Sequence, residues 1–147
     1  MFSTPVRKMI ERHGYPVLDA DGLDDFLAGS GDTLLFFTGE AGRFPETDDV
    51  AMILPELLRA FEGRLTAAVV AWPDQPGLQM RYGFREWPTL VFLRHGAYLG
   101  AISRVQDWAG YLERTARLLA SAPGRPPAFP LPVSTDGGCA RTQGDKR

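Results

Sequence analysis

Few residues of this 147-residue chain have the type and spacing to do chemistry. Its one cysteine, Cys139, excludes an intrachain disulfide and every metal site built on a cysteine pair. It follows the polar run Ser134, Thr135, Asp136, Gly137 and Gly138, with no helix end or base at hand to stabilise a thiolate, so it reads as a spectator thiol. His13 and His95 are far apart, and neither has a second ligand at metal-binding spacing; the sequence predicts no metal and no other cofactor. What remains is charge. Asp19, Asp21, Asp24 and Asp25 form one acidic set, and Glu40, Glu46, Asp48 and Asp49, relieved only by Arg43, form a second. Carboxylates gathered in this way can receive guanidinium groups through bidentate, charge-assisted bonds. They can equally cap helices and solvate turns, and Asp48 and Asp49 suit the positive end of a helix dipole. Arg85 beside Glu86 reads as a surface ion pair worth about 0–1 kcal/mol. Trp72, Trp108 and the methionines read as core or packing residues.

The scaffold holding these charges is expected to be one domain, because chains of roughly this size bury about 68–70% of their unfolded surface. A net charge of -2 gives no whole-chain attraction to nucleic acid or to an anionic surface, and no nucleic-acid partner is expected. The start, Met1-Phe2-Ser3-Thr4-Pro5-Val6-Arg7-Lys8, lacks a sustained apolar stretch. No run approaches the roughly 20 apolar residues of a membrane span. The expectation is a cytoplasmic protein without membrane insertion. From residue 123 onward, Pro123, Pro126, Pro127, Pro130 and Pro132 precede a Ser/Thr/Gly-rich end. That composition predicts a disordered tail over 123–147, which leaves the domain at 1–122. Residues 1–122 carry 16 acids against 12 bases, a sign suited to a cationic partner.

Within the domain, residues 4 to 13 can form a helix ended by Gly14, followed by a short strand Pro16-Val17-Leu18. Asp21 or Gly22 then caps a helix with Leu23, Phe26 and Leu27 on one face. Thr33 to Thr38 is apolar at its centre without alternation, which predicts a central strand covered on both faces. Val50, Ile53, Leu54, Leu57, Leu58 and Phe61 recur at helical spacing up to a stop at Gly63. Leu65 to Trp72 reads as a buried strand, Asp74 to Tyr82 as a short helix, and Thr89 to Leu93 as a strand. The His95-Gly96 turn returns the chain along Ala97 to Ser103, and a last helix runs from about Val105 to Ser121. The order is βαβαβαββα with an extra helix at the start.

That order, together with Glu86-Trp87-Pro88-Thr89-Leu90-Val91-Phe92-Leu93-Arg94-His95-Gly96, resembles the thioredoxin superfamily over residues 16 to 121. The resemblance implies a three-layer α/β/α thioredoxin-like fold with a central mixed sheet, and a cis peptide bond before Pro88. Thioredoxins carry a Cys-x-x-Cys motif between the central strand and the long helix. Here that junction, Gly39 to Asp49, contains no cysteine, serine or histidine. The buried aspartate and lysine that serve the thiols in that superfamily align with Leu35 and Val69, as expected where no proton has to move.

The replacement loop with Arg43-Phe44-Pro45-Glu46, the following Asp48-Asp49-Val50-Ala51 and the helical Leu54-Pro55-Glu56-Leu57 resemble a narrower group. These are the HyaE/HupG-type accessory proteins of nickel–iron hydrogenase maturation, thioredoxin-like proteins without the cysteines. The resemblance implies a non-enzymatic chaperone that engages the hydrogenase small-subunit precursor at its twin-arginine signal peptide before export, and other hydrogenase accessory proteins as further partners. Its contact surface would comprise Glu40, Arg43, Phe44, Glu46, Asp48 and Asp49 with Trp87 and Pro88, and no catalytic residue. On that face Phe44 and Trp87 either fill the space of the missing disulfide or offer an apolar platform, with backbone near Pro88 pairing to an extended chain. A general scaffold among maturation proteins, and a thiol oxidoreductase acting through Cys139, are the competing readings.

Overall fold

The computed structural model describes residues 2–128; Cys139 and the remainder of the expected tail lie outside them. The helices are α1 (Thr4–His13), α2 (Ala20–Ala28), α3 (Glu46–Ala60), α4 (Gln75–Tyr82) and α5 (Trp108–Ala120). The strands are β1 (Val17–Leu18), β2 (Asp32–Phe37), β3 (Thr66–Val70), β4 (Thr89–Arg94) and β5 (Ala97–Ser103). The five strands lie in the order β1-β3-β2-β4-β5. β1, β3 and β2 run parallel, while β4 is antiparallel to β2 and β5 to β4. This is the expected mixed sheet, and the fold is thioredoxin-like.

Strand β2 is central because both of its faces are apolar. Leu34 and Phe36 pack with Val6 and Met9 of α1, Leu54 and Leu57 of α3, and Tyr111 and Leu119 of α5. Leu35 and Phe37 pack on the opposite face with Leu23 and Leu27 of α2 and Leu78 and Tyr82 of α4. Burying a Leu or Phe fully stabilises a fold by about 1.5–3 kcal/mol, so this doubly covered strand anchors all three layers. Its C-terminal end opens onto the loop that replaces the dithiol motif.

Several sequence expectations need correction. The N-cap of α2 is Asp19, whose carboxylate accepts from Gly22 N at 2.8 Å, not Asp21 or Gly22. Asp74 fixes that start by accepting from Ala20 N at 2.8 Å. Helix α3 begins at Glu46, four residues before its apolar periodicity becomes visible at Val50. Strand β3 stops at Val70, and Trp72 opens a 3-10 turn ending at Asp74. Asp107 caps α5, so the helix starts at Trp108 rather than Val105. Trp108 is 44% exposed and Met52 75%, so neither is a core residue. Leu35 and Val69 are both buried but face opposite layers, because Leu35 registers with Ala68 and Val69 with Phe36. The neighbour of Leu35 on its own face is Ala68, which is apolar as well.

The hairpin forms as expected, with His95 at φ 48° and Gly96 at 85°, the two positive angles of a type I′ turn. Arg94 donates to Asp32, to Leu119 O at 2.6 Å and to Ser121 O at 3.0 Å, fastening the end of α5 to the sheet. Beyond it, the first part of the expected tail lies against the domain. Gly124 N donates to Tyr98 O at 2.9 Å, and Pro127 lies over Gly83.

Candidate binding site

The chain leaves β2 through Thr38 and Gly39 and enters α3 at Glu46. Gln75, fully buried at the first turn of α4, holds this departure. Its Oε1 accepts from Gly39 N at 2.9 Å, and its Nε2 donates to Val70 O at 2.8 Å and to Thr38 Oγ1 at 3.1 Å. Thr47 Oγ1 donates to Thr38 O at 2.6 Å, drawing the start of α3 back to the end of the strand. The polar groups of a buried chain exit are thereby satisfied. Gly39 is at φ 76°, and a Cβ there would lie 2.5 Å from Cδ2 of Phe44. Only glycine lets the Phe44 ring fold down over the backbone.

Phe44 meets Trp87 with ring centroids 6.3 Å apart. Trp87 also touches Phe84 at 5.1 Å, Trp72 at 6.3 Å and Phe37 at 6.5 Å, so it joins the sheet core to the loop. The Trp87–Pro88 peptide bond is cis. The Pro88 carbonyl accepts from Arg104 N at 2.7 Å, whereas the main-chain groups of Trp87 make no hydrogen bond with a described residue.

Arg104 Nε donates to Glu46 Oε1 at 3.0 Å and its Nη2 to Oε2, while Val105 N donates to Oε1 at 2.9 Å. The hydrogen bonds from Arg104 and then from Val105 pull the Glu46 carboxyl down from 4.5 to about 2, and the same pair raises the Arg104 guanidinium. Glu86 lies 3.7 Å from Arg104. Arg85, the expected partner of Glu86, forms no ion pair with a described residue.

Two hollows flank the Phe44-Pro45 segment. One, of about 270 Å³, is lined by Phe44, Pro45, Glu46, Arg85, Glu86, Trp87 and Arg104. The other, of about 250 Å³, lies between Ser3 and the 38–48 segment and includes Glu40 and Asp48. Of the expected contact residues, Phe44, Glu46 and Trp87 therefore share one hollow, with Glu40 and Asp48 across the loop from them. Arg43 lies 3.7 Å from Glu40 and 5.5 Å from the Phe44 ring centre. Asp48 accepts from Ser3 Oγ at 2.6 Å. Asp49 is exposed and lines neither hollow, and Pro88 is buried behind Trp87. The first acidic set is built into the scaffold instead, with Asp19 as a cap and Asp24 paired to Arg81 at 2.9 Å.

Sequence reasoning missed Arg104 and Gln75. Arg104 had no signal, since a strand-end arginine is ordinary. Gln75 had a faint one, as a polar residue at the start of a short helix that must turn back onto the sheet.

Among the described residues, no cysteine, serine or histidine lines the hollow between Phe44 and Trp87. Fold and site together define a thioredoxin-like protein in which an aromatic hollow with an ion-paired rim occupies the place of the dithiol. Residues 6–111 match the family model described as Hydrogenase-1 expression protein HyaE, and the chain belongs to this family. It is 48% identical over 126 residues to the hydrogenase expression/formation protein HoxO of Azotobacter vinelandii, covering 86% of this chain and 84% of that one. Against the HupG protein of Bradyrhizobium diazoefficiens the identity is 39%, with 92% of each chain covered. The crystal structure of a hydrogenase expression/formation protein hupG from Rhodopseudomonas palustris is 44% identical and superposes with a TM-score of 0.52, over 71% of this chain and 95% of that one.

Proposed function

We propose that this chain is a non-catalytic accessory protein of hydrogenase formation that binds the small-subunit precursor at its twin-arginine signal peptide, in the cytoplasm, before export. The observation that carries the reading is the hollow between Phe44 and Trp87, an apolar floor at the place where thioredoxin-like enzymes carry their thiols. An extended apolar stretch of peptide lies on Phe44 and Trp87 and pairs with the main chain of Trp87, whose groups have no described partner. The Pro88 carbonyl, engaged by Arg104, takes no part.

The guanidinium groups of the peptide go to the more accessible carboxylates. Glu40 is 57% exposed and only loosely held by Arg43, Glu86 is 59% exposed at 3.7 Å from Arg104, and Asp49 is exposed without an ion pair to a described residue. Glu46 is the least available, since both of its oxygens are already bonded within the chain. The relatives HyaE, HoxO and HupG, known as hydrogenase expression or formation proteins, support the hydrogenase context. No described helix is long and apolar enough to cross a membrane.

The test is co-purification of tagged protein with the small-subunit precursor and with the same subunit lacking its signal peptide. Retention of the precursor alone supports the reading. Equal retention of both removes signal-peptide recognition, and retention of neither removes the partner.

A further inference from the structure

A concavity larger than either hollow beside Phe44 lies between α1 and α3, with a volume of about 480 Å³. We propose that this channel is a second docking surface, and that its occupant is an acidic amphipathic helix of a protein partner.

The channel is laid out by two matched stripes. On α1 the facing residues include Pro5, Lys8, Met9 and Arg12; on α3 they include Ala51, Met52, Pro55 and Arg59. Both sets recur at the spacing that keeps side chains on one helical face. The Ser3 to Asp48 hydrogen bond sets the starts of the two helices side by side. Met9 and Ala51 are buried and close the floor, so the shape is already formed. Met52 stands 75% exposed beside it, an adaptable apolar contact with nothing to cover it among the described residues. Two adjacent helices leave a groove that a third helix fills, and the ten residues of α1 span about 15 Å, enough for roughly three turns of a guest.

Charge selects the guest. Among the described residues, Lys8, Arg12 and Arg59 stand on the rim against a single carboxylate, Glu56, which Arg59 holds at 3.0 Å. This cationic rim sits on a domain whose acids outnumber its bases. Lys8 and Arg12 lie four apart on one helix, where like charges repel, a cost that carboxylates of a guest would relieve. The sign is opposite to that of the ligand proposed for the Trp87 face, so the two surfaces do not compete. One chain could hold a cationic segment and an acidic helix at the same time.

The test uses the full ¹⁵N-labelled chain and three synthetic peptides of about three turns. The first places Leu on one helical face and Glu on the others; the second scrambles that sequence, and the third replaces Glu by Lys. The expected result is amide shifts at Lys8, Arg12, Met52 and Arg59 with the first peptide, and affinity about tenfold weaker or worse for the other two. The double variant Lys8→Glu/Arg12→Glu, at exposed positions, should lose the Glu peptide and gain the Lys peptide. Equal binding of the scrambled peptide would overturn the proposal by reducing it to bulk charge attraction. So would shifts confined to the Trp87 face, or shifts at these same residues that grow with protein concentration in the absence of peptide, which would make the occupant a second copy of the chain.

Discussion

Arg104 grips both carboxylate oxygens of Glu46, tying the residue after β5 to the first residue of α3 across 58 positions of sequence. Arg104 adopts φ 64°, and in that conformation its own N–H reaches the Pro88 carbonyl. One residue therefore joins three segments that border the hollow: the start of α3, the turn at Pro88 and the end of β5. An acid that reads in sequence as a free receptor for a peptide's arginine is in the structure an internal fastening. The site is held open by a salt bridge at its rim and by aromatic packing at its floor.

The pair makes stability depend on acid pH. The folded-state carboxyl of Glu46 is lowered to about 2 from 4.5, so the unfolded chain binds that proton more readily. Its contribution is fully present above about pH 4.5 and is lost as pH falls toward about 2. Urea unfolding followed through this window should show a shallower loss of stability in Glu46→Gln than in the wild type. Parallel curves for the two proteins would mean that the bond does not persist in solution.

Gln75 is the polar hinge of the site, and Gln75→Leu would leave Gly39 N and Val70 O buried without their partner. Each such group costs about 1–3 kcal/mol, and partial relaxation should bring the total to roughly 2–4 kcal/mol. Hydrogen exchange at the Gly39 amide reports the local effect, with protection expected to fall by more than the global destabilisation accounts for. If protection falls only in step with global stability, Gln75 does not hold the loop locally.

Gly39→Ala tests whether Phe44 must lie down on the loop. A methyl group at φ 76° carries about 1–2 kcal/mol of backbone strain, and it would also meet the Phe44 ring at 2.5 Å. The ring should be pushed off Trp87, changing tryptophan fluorescence and weakening precursor binding. Phe44→Ala should weaken binding as much while leaving the backbone unstrained. A Gly39→Ala protein that is destabilised but binds the precursor normally would separate the ring's position from recognition.

What was legible in the sequence followed from burial that shows in local pattern. The apolar runs of β2 and β4 announced themselves because both faces of the sheet are covered, and the 95–96 hairpin did so through its turn residues. What was not legible depended on long-range geometry. Asp19 and Asp21 are equally good caps by type, and the choice between them is made with Asp74, 54 residues from Ala20. Leu35 and Val69 could be assigned to strands by composition, but whether they share a face depends on register, which a single residue reverses. Of the expected contact residues, the aromatic ones do converge, as local motifs around a proline allow. The acidic ones do not act alike, because their partners Ser3, Arg104 and Arg43 come from three different distances along the chain.

The segment after α5 offers the last prediction. Gly83 ends α4 at φ 73°, and a Cβ on it would lie 2.0 Å from the carbonyl oxygen of Pro127. Backbone cannot swing aside as the tip of a side chain does, so Gly83→Ala must displace residues near 127 and strain the Gly124 to Tyr98 hydrogen bond. The substitution has two costs: about 1–2 kcal/mol of backbone strain wherever it is made, and a further 0.5–1.5 kcal/mol, roughly one hydrogen bond, only when residues 123–128 are present. Comparing Gly83→Ala in chains ending at residue 128 and at residue 122 separates these terms, since both lack everything beyond. Urea unfolding should give a larger loss in the longer chain. Equal losses would mean that residues 123–128 do not rest on α4 in solution, and that the domain ends at α5, the boundary expected from its proline-rich composition.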